Sequence, residues 1–439
     1  MSVLYDIAYL TAGLAVAPVM AYKRLRYGKY RGDWAARFGR ADLPAASGPA
    51  PGSPHRPTVL IHAVSVGEVN ATRLLVERLR TRHADRIRII ISATTDTGIA
   101  RARQLYSNGA AEVVRYPFDL SGAVRRFLDI VKPDAVALME LEIWPNFAAE
   151  CKRRNIPLAV INGRLSERSF RGYRRFRGLL RSMFASLAAA AVQDAAYAER
   201  FAAMGTPVDR ISVTGTMKWD TAVITDDVTG SDALADAMGI DRNKPLIVCG
   251  STGPGEEALF VKHLVEKLPA GQMLMAPRKP ERFDEAASAM GQPVRRTQCP
   301  DGTVRQPDDR RVFLLDTMGE LRKAYTLADV VVVGRSFCPL FGSDMMEPIA
   351  LGKPVVIGPN TGDFADTMNQ LLAGDGILQV AAPGSRIGPS LTQAVGGLLA
   401  NPARAAQLAE NGRNVIRNNQ GATDRHVQLI EKLLALQST

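Results

Sequence analysis

Short apolar, β-branched runs alternate with stretches whose apolar residues recur at helical spacing along most of this chain. The first run, residues 58–61 (Thr-Val-Leu-Ile), leads through His62-Ala-Val-Ser-Val-Gly-Glu-Val-Asn70 into a segment with Leu74, Leu75 and Leu79 on one helical face. The pattern predicts strand, glycine turn and helix, with Glu68 at the carboxyl end of the strand and in the first helical turn, where its charge complements the helix dipole. Runs at 87–92, 112–115, 135–139, 158–161, 189–192 and 211–213 keep the same rhythm and predict a parallel sheet with helices on both faces. Around residues 221–244 the rhythm stops, and Asp226, Asp227, Asp232 and Asp236 crowd a polar stretch. A second series then begins at 245–249 and continues through 272–276, 312–315, 330–333 and 355–357. The expected fold is α/β, two Rossmann-like domains facing across a cleft, with any site at the strand ends lining it.

The N-terminal pattern differs. Residues 3–22 are apolar apart from Asp6, and Lys23, Arg24, Arg26, Lys29 and Arg31 follow. Positive charge after the apolar run is the reverse of a signal peptide and suits a membrane anchor with the following chain on the cytoplasmic side, although Asp6 and Pro18 interrupt it. The expected organisation is an anchor with basic flank at 1–42, a Pro/Gly/Ser-rich linker at 43–57, a first domain at 58–225, a linker at 226–244, a second domain at 245–401, and a C-terminal helix at 402–439, expected by fold analogy alone to pack back across the cleft.

Composition narrows the classes. With 439 residues and 46% apolar content the chain buries full cores. Four scattered cysteines form no CxxC pair, so neither a zinc site nor a disulfide framework is expected. A net charge of +11 points to anionic partners; with 6% aromatic residues and no recognition motif, nucleic acid is not among them.

Chemistry is expected where strands end. Glu140 and Glu142 follow the run at 135–139 at a spacing of two, which places both on one face, and paired carboxylates there need a cation or ligand. Arg164 and Arg168 follow the next strand and suit a phosphate or carboxylate. Arg171, Arg174, Arg175, Arg177 and Arg181, interleaved with Phe170, Tyr173, Phe176 and Leu179, fit a helix on an anionic membrane surface or a solvated helix face. Lys218 follows the run at 211–213. In the second half, Gly250-Ser-Thr-Gly-Pro-Gly255 precedes a helical pattern and is expected to cradle a phosphate, though it is neither a P-loop nor GxGxxG. Arg278, Met318-Gly-Glu320 and Glu347 stand at further strand ends, the last placed to bond a ribose diol.

In this order, His62 to Glu68, Glu140 to Asn146, Asn162 to Ser169, Gly215 to Lys218, Gly250 to Thr252, Pro277 to Phe283, Asp316 to Leu321 and Glu347-Pro348, with Tyr30 to Gly39 ahead of them, resemble the signature blocks of the 3-deoxy-D-manno-octulosonic acid (Kdo) transferases of lipopolysaccharide synthesis. The resemblance runs to about Asp366. It implies a GT-B glycosyltransferase that moves Kdo from CMP-Kdo to a lipid A precursor, with inversion, at the cytoplasmic face of the inner membrane. Under it Glu68 is the general base, Glu140 and Lys218 support the transition state, and Glu142 and Arg164 lie on the acceptor side. Pro277, Arg278, Met318, Gly319, Glu320, Asp344 and Glu347 match the CMP-binding positions. No metal and no cofactor are expected, because Arg278 and helix N-termini suit a monophosphate leaving group. One block departs from the family's Gly-Gly-His-Asn-Pro-Leu-Glu-Pro type of loop: this chain has Ser343 and Asp344 in place of His and Asn, and an ionised Asp344 only accepts hydrogen bonds. Two other readings follow from that departure: a different CMP-activated acidic sugar, or a non-catalytic, membrane-attached lipid-binding protein on the same fold, which has no need of Glu68.

Overall fold

The computed structural model describes residues 5–11, 17–19, 22, 26, 33–43, 55–268, 271–302, 304–306, 309, 311–380 and 386–436. The chain forms two compact units, Met1–Thr221 with Gln420–Thr439, and Ala222–Asn419.

The first unit is built on seven strands: β1 Thr58–His62, β2 Arg88–Ala93, β3 Glu112–Arg115, β4 Ala135–Met139, β5 Leu158–Gly163, β6 Ala189–Val192 and β7 Ile211–Val213. All pair in parallel, in the order β3-β2-β1-β4-β5-β6-β7. β1, β4 and β5 are buried along their whole length, which is why their sequences run apolar without alternation. Helices Val66–His83, Asp96–Leu105 and Ala422–Leu433 contribute to the core on one face, and Ser121–Val131, Pro145–Arg153, Arg177–Ala185 and Ala195–Met204 to that on the other.

The second unit repeats the plan with β8 Leu246–Thr252, β9 Gln272–Pro277, β10 Val294–Arg295, β11 Val312–Leu314, β12 Val330–Val333, β13 Val355–Ile357 and β14 Leu378–Gln379, again all parallel, in the order β10-β11-β9-β8-β12-β13-β14. β10 and β14, two residues each, are absent from the sequence reading because two residues carry no period. In each sheet the winding direction reverses once, between β1 and β4 and between β8 and β12, and the crevice at such a reversal is where open α/β sheets bind ligands.

Segment boundaries differ from the expected ones. The stretch 226–244 is not bare linker: helix Ser231–Met238 buries Leu234, Ala235, Ala237 and Met238 in the second unit. The C-terminal segment divides, with helix Pro402–Asn419 staying in the second unit and Ala422–Leu433 returning to the first. There Asp220 accepts from the N–H groups of Gly421 and Thr423, both at 2.6 Å, Arg78 pairs with Asp424 at 2.6 Å, and His83 meets Glu431 at 2.7 Å with side chains 2% and 4% exposed.

Near the N-terminus, residues 5–11 are helical. Asp6, which interrupts the apolar run, accepts from the Ser121 N–H at 2.8 Å and from Asn146 Nδ2 at 3.0 Å, so it ties this helix to the starts of two others. No helix among the described residues is long and apolar enough to cross a membrane. Much of the expected anchor (residues 1–4, 12–16, 20 and 21), Lys23, Arg24, Lys29 and Arg31 of its basic flank, and residues 44–54 of the linker lie outside the described residues. From Asp33 the chain is fixed by Asp33–Arg115 and Arg37–Asp96 ion pairs, each at 2.9 Å.

Candidate functional site

At the reversal point of the first sheet the chain leaves β1 and enters helix Val66–His83 through a variant of the capping box, in which the carboxylate reaches the Val64 N–H and the Ser65 hydroxyl in place of the Ser65 N–H. Ser65 Oγ accepts from the Glu68 N–H at 3.4 Å, while Glu68 Oε1 accepts from Ser65 Oγ at 2.9 Å and Oε2 from the Val64 N–H at 2.8 Å. The Ser-x-x-Glu spacing that produces this is legible in the sequence. It holds a half-buried carboxylate at the carboxyl end of β1.

The neighbouring strand supplies two more. β4 stops at Met139, and Glu140 takes a left-handed backbone with φ of 56°, its N–H donating to Ile161 O at 3.0 Å. This corrects the expectation that Glu140 and Glu142 share a strand face, because the period of two ends before either residue. They gather near Glu68 by the turn instead. Burial raises the pKa of Glu140, the charge of Glu68 raises it further, and Arg164 pulls it back; burial, Glu68 and Glu140 raise that of Glu142 against a hydrogen bond from Trp144. The exposed Arg164, two residues beyond Asn162, is therefore the near cation of this carboxylate group. A non-glycine residue held at positive φ costs about 1–2 kcal/mol, and such strain collects at functional sites.

Lys218, half-buried, sits in a block pinned on both sides. Before it, the Met217 N–H donates to Asn162 Oδ1 at 3.1 Å; after it, Trp219 is buried and Asp220 holds the start of helix Ala422–Leu433. Asn162 itself, at φ of 51°, opens one of the ordered sequence blocks but carried no expected role of its own. Next to this region, helices Glu167–Arg175 and Arg177–Ala185 break at Phe176, which is 63% exposed beside exposed Tyr173 and Leu179, with Arg171, Arg174, Arg175, Arg177 and Arg181 exposed among them.

In the second unit the expected phosphate cradle is already filled. Glu256, 1% exposed, accepts from the N–H groups of Gly253 at 2.7 Å, Arg335 at 2.7 Å and Phe337 at 2.8 Å, so the chain's own carboxylate takes amides that an anion would use. Ser251, at φ of 58°, marks a bulge between β8 and β9. Arg282 grips Glu257 with two bonds of 2.9 and 2.8 Å, clamping the Pro277–Arg282 block and leaving Arg278 exposed. That clamp was likewise not anticipated.

The remaining donor-side candidates separate into bound and open groups. Glu320 is engaged by Arg296 Nε at 3.0 Å and Thr317 Oγ1 at 2.6 Å, so its carboxylate fixes the turn on which Gly319 (φ 90°) and the 63% exposed Met318 stand. Asp344 Oδ1 accepts from the Met346 N–H at 2.9 Å, a task an acceptor-only side chain performs well, while Ser343 is buried with its hydroxyl unpaired among the described residues. Glu347 is half-buried, its pKa raised by burial and by Asp344 and lowered by Arg322. Buried Tyr325 feels the charges of Glu347 and Asp344, and its ring fits because residue 250 is glycine: a Cβ there would lie 2.0 Å from the hydroxyl. Among the described residues no three His, Cys, Asp or Glu side chains form a metal-binding group.

A family model described as 3-deoxy-D-manno-octulosonic-acid transferase matches residues 32–221. Over nearly the whole chain, the 3-deoxy-D-manno-octulosonic acid transferase of Bordetella pertussis is 34% identical, covering 91% of each sequence, and that of Haemophilus influenzae is 30% identical, covering 95% of this chain and 94% of the other. This chain belongs to the 3-deoxy-D-manno-octulosonic acid transferases. It is a glycosyltransferase of that family, as the ordered sequence blocks imply. A glycosyltransferase from Rickettsia africae matches 87% of this chain and 99% of its own at 12% identity with a TM-score of 0.56, and a UDP-GlcNAc 2-epimerase from Neisseria meningitidis matches 85% and 100% at 14% identity with a TM-score of 0.55. At such identities these likenesses speak to fold alone, the GT-B-like pairing of two parallel-sheet units.

Proposed function

We propose that this transferase moves Kdo from CMP-Kdo to a hydroxyl of a lipid A precursor with inversion at the anomeric carbon. The acceptor oxygen bonds to that carbon on one face while the bond to the phosphate oxygen breaks on the other, and CMP leaves with the electron pair. Glu68 takes the acceptor proton: its two hydrogen bonds leave lone pairs unused on both oxygens, and the capping box fixes their direction. Glu140 and Lys218 steady the charge that develops, and Glu142 and Arg164 face the acceptor. On the donor side Arg278 meets the phosphate, Pro277 and the Met318-Gly319-Glu320 turn meet the cytidine, and Asp344 and Glu347 complete the loop; Glu320 acts there by shaping its turn. The observation that carries this reading is the group of three carboxylates with Arg164 at one sheet-reversal crevice. A lipid acceptor also suits the exposed Tyr173, Phe176 and Leu179 among arginines, which fit the anionic cytoplasmic face of an inner membrane.

The test incubates the purified protein with CMP-Kdo and lipid A precursor and measures CMP release. Glu68→Gln keeps a capping-box acceptor, so its melting temperature stays near wild type while kcat falls at least 100-fold. Wild type that releases no CMP refutes the transferase reading, and full activity in Glu68→Gln refutes the base. Because of Ser343 and Asp344, a second CMP-activated acidic sugar is assayed alongside.

A further inference from the structure

We infer that His426, on helix Ala422–Leu433, is a positioning residue for the transfer reaction that acts through Asn162 on the block carrying Lys218; this rests on the reading of that block as part of the transfer site. The reason begins in the sheet. The parallel pairing of β5 with β6 shifts register between Val160 and Gly163, and Asn162 adopts a positive φ inside that irregularity. A bulge of this kind takes a backbone N–H out of the ladder, and Asn162 is buried, so its amide needs another acceptor. His426 Nε2 supplies it at 3.2 Å.

Asn162 then distributes the anchor. Its Oδ1 accepts from the Met217 N–H at 3.1 Å and its carbonyl from Gln193 Nε2 at 2.9 Å, so the ends of β5 and β6 and the Lys218 block meet at one residue. On the other flank of Lys218, Asp220 binds the Gly421 and Thr423 N–H groups. Both anchors of Lys218 therefore end on the same helix, one directly and one through Asn162 and His426. The histidine is fully buried, and burial together with Arg425 keeps its ring neutral, the form that accepts a hydrogen bond. With Nε2 accepting, the proton lies on Nδ1, which has no partner among the described residues. An unpaired buried donor is a standing cost that an apolar side chain there avoids, so the histidine is explained by what its other nitrogen holds.

The experiment compares wild type with His426→Leu, His426→Gln and Asn162→Gly in steady-state transfer from CMP-Kdo and in amide hydrogen exchange without substrate. Leucine fills the site without an acceptor; kcat falls at least 10-fold with donor KM within twofold, and exchange rises at least 10-fold in peptides spanning 158–164 and 215–219. Glutamine places Oε1 near the position of Nε2 and restores most of both. Asn162→Gly tolerates the positive φ and keeps the amide for His426 but removes Oδ1, so it repeats the kcat loss by cutting the second link; should His426→Leu fail to fold, His426→Met, of similar volume and without a comparable acceptor, carries the test. Unchanged kcat or exchange in His426→Leu, or a glutamine variant as impaired as the leucine one, overturns the inference. Wild type that releases no CMP removes the transfer reading by itself, and the substrate-free exchange data then decide whether the link exists.

Discussion

Among the groups that titrate in the acid range, burial moves two imidazoles and one carboxyl furthest. His62, stacked on Tyr116 at 3.8 Å, and His426 are held neutral by burial, each with its pKa lowered from 6.5 to about 3. The unfolded chain protonates these rings first as pH falls, so stability rises with pH between about 3 and 6.5. Asp119 acts in the opposite sense: burial raises it from 3.8 to about 6 despite bonds from the Asn146 and Phe147 amides, so the folded state takes up its proton first and stability from this group falls as pH rises between 3.8 and 6. Among these three groups the two wide shifts outweigh the narrower one, and the upward shifts of Glu140, Glu142, Glu256 and Glu347 are opposed by the downward shifts of Glu150, Asp316 and Glu320. Urea midpoints measured between pH 4 and 7 are expected to rise with pH, and a flat profile would contradict the burial of these rings. The same residues mark the limit of sequence reading. Glu68 was legible because strand, glycine turn and helix follow one another within a few residues, whereas His426 and Asn162 stand 264 positions apart and no spacing rule connects them.

At the level of elements, the strands buried on both faces were the plainest to read in advance, although the partly exposed β3 and β7 were read as well. β1, β4 and β5 announce themselves as unbroken apolar runs, since each face meets a helical layer. What stayed hidden is where regular backbone stops. Glu140 leaves β4 in a left-handed turn that its side chain does not encode, and Glu256 occupies a loop whose glycines promise a phosphate. Helix Ala422–Leu433 gives the clearest prediction at this scale. It adds Ala422, Val427 and Ile430, all fully buried, to the core of the first unit, and each large apolar side chain buried is worth about 1.5–3 kcal/mol. With the Asp424 and Glu431 pairs lost as well, removing residues 420–439 takes away several kcal/mol from a net stability on the order of 5–15 kcal/mol. Calorimetry on the shortened chain is expected to show the first unit's transition lowered by 10 °C or more or absent, with that of the second unit retained; an unshifted transition would show the helix to be an accessory.

For the whole molecule, charge and apolar exposure fall on the same stretch of surface. The net charge of +11 includes the five exposed arginines around Phe176, and if this helix pair meets anionic lipid, as proposed, each basic residue near the surface is expected to add about 1 kcal/mol of attraction. Cosedimentation with vesicles containing 30% anionic lipid, roughly the charge of a cytoplasmic leaflet, is expected to be strong at low salt. It should fall with added salt and drop at least 10-fold when Arg174, Arg175 and Arg177 are changed to Glu, with CMP release from soluble acceptor analogues kept. Equal binding by neutral and anionic vesicles would refute a role for these arginines in lipid binding.

The return of helix Ala422–Leu433 to the first unit also has a meaning in time. A ribosome emits the seven strands of that unit, then all of Ala222–Asn419, before the helix that finishes the first core emerges. At about 5–20 residues per second, the early strands wait on the order of ten to forty seconds with the groove for Val427 and Ile430 open. During that interval the nascent chain presents an apolar face that helix Ala422–Leu433 has yet to cover, so slowing translation of the middle segment should lower the yield of soluble protein, and supplying a holding chaperone should restore it.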